Sequence, residues 1–348
     1  MVAHLENLYA TIKTLQPARL ARMRWNFTLA WMAAAAAVLP QVSAAASIVH
    51  TDSRGHRVVI QTPVRRAVIF EFYEVVPALN CWDGVAAIGS SAYQNDLMLA
   101  ARPGIKAEIP AAGTAESVEI EGLLRLKPEV VVAWPYKPEN IRFMEDKGLK
   151  VITIFPNTIS DLYGLIRLYG RMFEREQRAE NAILRMEEIF RVVRTRSAGI
   201  PASARKKVLW LTQANRTYGG VAMPNEIIEL TGARNAAREV SERYADVSME
   251  AIVKWNPDVI FLWNGAHIGV KDILGSSQWR SVKAVREGKV YRQPDISTWS
   301  PRLAPLVLWM AKRIYPDLYR DTSVVSVTDQ FYRSVFGISY AKAALDDL

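Results

Sequence analysis

Glu121-Gly-Leu-Leu-Arg-Leu-Lys-Pro128-Glu-Val-Val-Val132 and Glu250-Ala-Ile-Val-Lys-Trp-Asn-Pro257-Asp-Val-Ile-Phe261 carry one pattern twice. In each, a glutamate stands seven residues before a proline, opens a short apolar-periodic stretch, and leads through the proline into an uninterrupted apolar run. The periodic part reads as a helix and the apolar run as a strand buried on both faces, the signature of a parallel sheet covered by helices. Working outward, Arg66–Phe70, Val85–Gly89, Glu129–Trp134 and Lys150–Phe155 form one set of such runs with helical stretches between them. Lys207–Leu211, Pro257–Leu262 and Lys289–Tyr291 form a second. The chain therefore reads as two similar α/β units.

Between the units, Ser160–Arg196 is rich in Leu, Arg, Glu, Ala and Met, holds no proline, and reads as one helix. Ser160 and Asp161 are placed to cap its start, and Gly199-Ile200-Pro201 to stop it. The expected organisation is an N-terminal extension and secretory signal over 1–46 and an α/β lobe over 47–158. An inter-lobe helix region over 159–199 and a second α/β lobe with closing helices over 200–348 complete it.

The signal reading rests on Arg19, Arg22 and Arg24 ahead of the uncharged Trp25–Leu39 and the small residues ending at Ala44 to Ala46. Met1 and Met23 both stand as starts, and cleavage is expected between Ala44 and Ala46. No other stretch is apolar for long enough to span a bilayer, so the mature protein is expected not to be membrane-embedded. The formal charge of +9 falls to +6 without residues 1–46, which hold four basic residues and one acidic one. The basic residues are scattered singly over helices, which argues against nucleic acid and suits an anionic small ligand. A single cysteine, Cys81, excludes an internal disulfide framework and a cysteine-cluster metal site.

The two echoed motifs, with Ser117-Val-Glu-Ile-Glu121, Trp279–Tyr291 and Ser300-Pro301-Arg302 through Tyr315-Pro316, resemble the periplasmic substrate-binding proteins of iron-siderophore, haem and cobalamin ABC importers. The resemblance runs over essentially the whole mature chain. It implies two Rossmann-like lobes joined by a single long helix, with a ligand cleft between the lobes. It also implies that Glu121 and Glu250, one per lobe, dock on the arginines of a membrane permease. A favourable charge in a first helical turn explains each glutamate separately, though not the shared offset. The expected partners are that permease and a metal chelate, a ferric siderophore first, with haem, cobalamin, a molybdate-like oxyanion or a nickel chelate on the same scaffold. No resident cofactor is expected, and the protein is read as a monomer.

Ligands of open α/β sheets bind beyond the carboxyl ends of the strands. That rule selects Tyr73, Tyr93, Trp134, Tyr136 and Lys137 in the first lobe. In the second it selects Arg216, Tyr218, Trp263, His267, Trp299 and Arg302. Aromatic rings and arginines suit a planar, aryl-bearing anion, although Trp134 and Trp263 have packing under the lobes as their plainer role. His267 stands either as a surface residue or as a metal ligand, and Arg302, after Ser300-Pro301, sits where a helix start favours an anion. No phosphate-binding glycine loop, His-Glu-x-x-His pair or nucleophile elbow occurs, so no enzyme is read. A chelatase-like protein or metallochaperone and a sensory binding protein are the alternatives of other classes.

Overall fold

Strand β3 (Ala67–Ile69) lies fully buried between β4 (Val85–Ile88) and β5 (Val130–Ala133), and β5 carries β6 (Val151–Thr153) on its other side. All three pairings are parallel, as expected of short runs of Val, Ile and Ala with no polar face. This is the first lobe in the computed structural model, which describes residues 46–114 and 117–343. The region 1–46 read as extension and signal thus lies, but for its last residue, outside the described residues. An antiparallel hairpin of β1 (Ala46–Thr51) with β2 (Arg57–Thr62), outside the runs read from the sequence, precedes the sheet.

The second lobe repeats the parallel arrangement with β7 (Lys207–Gln213), β11 (Val259–Leu262) and β12 (Val290–Arg292). Here β8 (Arg216–Tyr218) and β10 (Tyr244–Asp246) extend the sheet antiparallel, in the order β10-β8-β7-β11-β12. A two-residue strand, β9 (Arg234–Asn235), also pairs with β7. The echoed motifs become matching helices, Ile120–Leu126 and Met249–Trp255, both of seven residues. Each ends on a left-handed residue, Lys127 at φ 47° and Asn256 at φ 46°, immediately before the proline that leads into β5 or β11.

The inter-lobe segment is two helices, not the one continuous helix expected. Ile159–Phe173 ends at Glu174, which is left-handed at φ 54°, and Glu176–Ser197 follows. The start is capped by Thr158, which accepts from the Asp161 amide at 3.0 Å, while Asp161 accepts from the Thr158 amide at 3.1 Å; Ser160 has no part in it. This reciprocal box contributes about 1 kcal/mol. Gly170 is required where the two helices meet, because a Cβ there would stand 2.8 Å from that of Ala179. The helix Glu176–Ser197 is about 33 Å long at the usual rise. It packs on Ile159–Phe173 and on the closing helices Leu303–Ile314 and Val324–Phe336, so one core joins the inner faces of both sheets through this helical layer. A connection built this way resists the wide hinge opening that a loose peptide permits.

Candidate functional site

The carboxyl ends of β3, β5 and β6 face those of β7, β11 and β12 across a cleft. Its inner compartment, of about 290 Å³, is lined from the first lobe by Glu71, Tyr73, Glu74, Asn95, Trp134 and Phe155. From the second lobe it is lined by Tyr218, Arg243, Tyr244, Trp263, Asn264, Asp295 and Trp299, among others. An outer compartment of about 650 Å³ shares Trp134, Phe155, Tyr218, Tyr244 and Trp263, and adds Tyr136, Gln213 and Arg216.

Local backbone features aim these side chains. Phe72, at φ 63°, occupies a region costly for a bulky residue; its ring is held edge-on to Tyr169 at 5.4 Å while Glu71 and Tyr73 line the cleft. Gly219 and Gly220 lie against the carbonyls of Glu242 and Arg238, 2.1 Å from where each Cβ would be. That close approach brings Arg243 and Tyr244 beside Tyr218, whose ring lies 5.3 Å from that of Tyr244. Arg292 donates to the carbonyls of Trp263, Asn264 and Ala266 at 3.3, 2.8 and 3.1 Å, and to Ile268 at 2.5 Å, so one guanidinium shapes the loop that follows β11.

One wall is aromatic. Trp134 stacks on Tyr136 and Phe155 with centroids 5.0 and 5.9 Å apart, and Trp299 stands edge-on to Trp134 and Phe155 at 5.4 and 4.9 Å. Arg243 lies 4.2 Å over the Phe155 ring and donates to Asn157; burial pushes its pKa down. Arg216 lies 5.8 Å over Tyr244 and makes no ion pair among the described residues. Tyr73 is raised above the usual phenol range by burial first, then by Glu74 and Glu71.

Of the residues selected from the sequence, Tyr73, Trp134, Tyr136, Arg216, Tyr218, Trp263 and Trp299 meet in this cleft. Four do not line either compartment. Tyr93 turns into its own lobe and donates to the Ile109 carbonyl at 2.5 Å. Lys137 occupies the N-cap position of the helix Pro138–Asp146 without a side-chain cap bond, and His267 is exposed on the loop, its amide donating to Gln213 at 3.2 Å. Arg302 corrects the sequence reading most sharply, because its side chain is fully buried and committed to carboxylates. It donates to Glu74 at 2.6 and 2.9 Å, to Asp96 at 2.9 and 3.0 Å and to the Tyr332 hydroxyl at 3.2 Å. Burial acts to deprotonate it, but Glu74, Tyr332 and Asp96 together hold its pKa well above the ordinary value. It ties the start of the closing helix to the first lobe and is not open to an anion in the cleft. Phe155, Arg243 and Tyr244 join the cleft without having been selected from the sequence; Tyr244 opens the antiparallel β10 and Arg243 directly precedes it, outside the parallel pattern.

A periplasmic binding protein family model matches residues 72–296, which spans both lobes and the cleft. The chain belongs to that family. Proteins of the family capture a solute and hand it to an ABC importer, and this binding protein shares that class of function. It is 25% identical over 336 residues to the molybdate-binding protein MolA of Haemophilus influenzae, covering 86% of this chain and 93% of that one. The Helicobacter pylori protein CeuE, solved as a Ni-His complex, has the same fold with a TM-score of 0.75 at 24% identity, over 85% of this chain and 98% of that one. MolA bound to molybdate superposes with a TM-score of 0.73 at 23% identity, over 84% of this chain and 99% of that one. Among the described residues, no helix of the binding protein is long and apolar enough to cross a membrane, and no group of three His, Cys, Asp or Glu side chains could hold a metal.

Proposed function

We propose that this protein, exported by its N-terminal signal, binds an anionic, aryl-bearing metal chelate of the ferric-siderophore class in the periplasm and presents it to an ABC permease through Glu121 and Glu250. The observation that carries the ligand reading is the lining of the outer compartment. It holds six aromatic side chains, Trp134, Tyr136, Phe155, Tyr218, Tyr244 and Trp263, together with Arg216 and no carboxylate. Rings stack on a catecholate or similar aryl group, and an arginine without a carboxylate partner adds charge and paired donors. Carboxylates line only the inner compartment, where Glu74 is already paired with Arg302. Compartments of this size suit a small organic chelate.

A molybdate-like oxyanion is the second reading, favoured by the unpaired Arg216 and by the likeness to MolA. An outer compartment of about 650 Å³ with an apolar wall is far larger than such an ion needs. Tryptophan fluorescence of the mature chain, titrated with ferric catecholate and hydroxamate siderophores, haem, cobalamin, molybdate and nickel, separates the readings. Saturable quenching by a ferric siderophore at low micromolar concentration, about −8 kcal/mol, is expected. Response to molybdate or nickel alone refutes the chelate reading.

The docking assignment is supported by the matched placement of the two glutamates. Both are exposed in the first turn of equivalent helices, each of which leads into a parallel strand. A helix that runs back against its parallel strands has its first turn at their carboxyl ends, the side on which the cleft opens. Changing both Glu121 and Glu250 to Gln is expected to abolish uptake in cells with ligand affinity unchanged, because such charges set orientation and encounter rate at the partner. Normal uptake by the double variant would sink this assignment.

A further inference from the structure

A cavity of about 400 Å³ lies on the second lobe between the edge strand β12 and the two closing helices, sharing no lining residue with the ligand cleft. Lys289, Lys312 and Arg313 supply three cations to it. Tyr291 and Trp309 supply aromatic wall, and Ser323, Val324 and Val325 bring the start of the thirteen-residue helix Val324–Phe336. Arg313 is held over both rings, 5.3 Å from the Tyr291 centroid and 5.6 Å from that of Trp309, and makes no ion pair among the described residues. Lys312 donates to the Thr322 carbonyl at 2.6 Å, which leaves its charge uncancelled. Only Lys289 has an acidic partner, Glu287 at 2.6 Å. The carbonyl end of Leu303–Ile314 lies nearby and offsets part of this charge, while the amide end of the next helix adds to it.

Trp309 gives the cavity the face of its ring, while its indole N–H is sealed from solvent and is not offered to a ligand there. The Ser323 hydroxyl accepts from the Ser326 amide at 3.2 Å, so the first-turn amides of Val324 and Val325 have no partner within their own helix. Positive side chains, free helix amides and a guanidinium fixed on aromatic rings together form the chemistry that binds an oxyanion. The volume and the aromatic wall exceed what a bare tetrahedral ion needs.

We infer that this cavity is a second binding site, separate from the cleft, for a phosphoryl group carried on an apolar body. The group is held by Lys312, Arg313 and the start of Val324–Phe336, with the apolar body against Tyr291 and Trp309. A soluble aryl phosphate and an anionic phospholipid headgroup both present that chemistry. Calorimetry of the mature protein with phenyl phosphate, and co-sedimentation with phosphatidylglycerol or phosphatidylcholine vesicles, distinguish the two sources. Saturable phenyl phosphate binding that weakens at least tenfold in the double variant Lys312→Gln/Arg313→Gln identifies a soluble ligand. Sedimentation with phosphatidylglycerol vesicles alone, lost in the same variant, identifies the headgroup. Arg313→Gln singly leaves the Lys312 bond in place and is expected to weaken binding several-fold with an unchanged urea midpoint, which excludes misfolding as the cause. Absence of binding to all probes, or equal binding by wild type and double variant, overturns the inference.

Discussion

Replacing Arg302 with Met removes the one cation in the buried network that joins the closing helix to the first lobe. The side chains of Arg302 and Glu74 are 0% and 4% exposed, and that of Asp96 is 20% exposed. Without the guanidinium, Glu74 keeps a single side-chain donor, Asn95 at 2.7 Å, and no cation stands between it and Asp96. Losing one partner of a buried pair costs about 3–5 kcal/mol, mostly for the charge left behind. With two carboxylates stranded, the upper part of that range is expected, read as a lowered urea midpoint at pH 7. Asp96 gives the effect a pH signature. Burial raises its pKa while Arg302 pulls it down. A carboxyl with a raised folded pKa favours the fold at low pH, and that contribution fades as pH rises through the folded value. The variant lacks the downward pull, so its deficit should be largest at neutral pH and shrink on acidification. Changing Glu74 to Leu in the same background should recover much of the loss. A deficit below about 1 kcal/mol, or one that grows as pH falls, would refute the account of Arg302 as a paired strut.

Lys127→Asn should stabilise the chain by about 0.5–1 kcal/mol in urea unfolding, because the position is left-handed and its counterpart Asn256 already carries the better residue. Trp299→Ala, which takes away two edge-on ring contacts from the cleft wall, should weaken the ligand identified by titration about tenfold or more while Tyr93→Phe leaves affinity unchanged.

The fold was legible because burial on both faces leaves a strong mark. Each of these apolar runs is a parallel strand, with ends that agree to within two residues. The antiparallel additions left weaker marks. Arg216-Thr217-Tyr218 and Tyr244-Ala245-Asp246 are three-residue strands on a partly solvated edge, with no apolar run to betray them. The break at Glu174 was hidden because its left-handed residue is neither glycine nor asparagine. For the site, topology found the right strand ends, and aromatic residues placed there did reach the cleft. Charged residues were harder to assign. Whether an arginine faces ligand or carboxylate depends on Glu74 and Asp96, more than 200 positions away from Arg302 along the chain.

That same network bears on what the cleft can hold. Two carboxylates share one guanidinium beneath the inner compartment, so the network carries a net negative charge even when fully paired. Glu71 and Asp295 line the compartment above it, and Arg243 is the single cation among its lining residues. The outer compartment has the opposite character, with Arg216 and no carboxylate. Two unit charges 4 Å apart at a partly wet site interact by roughly 4 kcal/mol, so an anion driven to the inner end would be opposed strongly enough to decide its position. A small oxyanion would be confined to the mouth, where water competes for Arg216. A larger chelate can place its anionic aryl groups against Arg216 and the Trp134, Tyr136 and Phe155 rings while turning hydrogen-bond donors or a cationic group toward Glu71 and Asp295. For the chelate proposed above, the charge gradient along the cleft supplies an orientation, and it supports the proposal of an extended molecule over a bare ion.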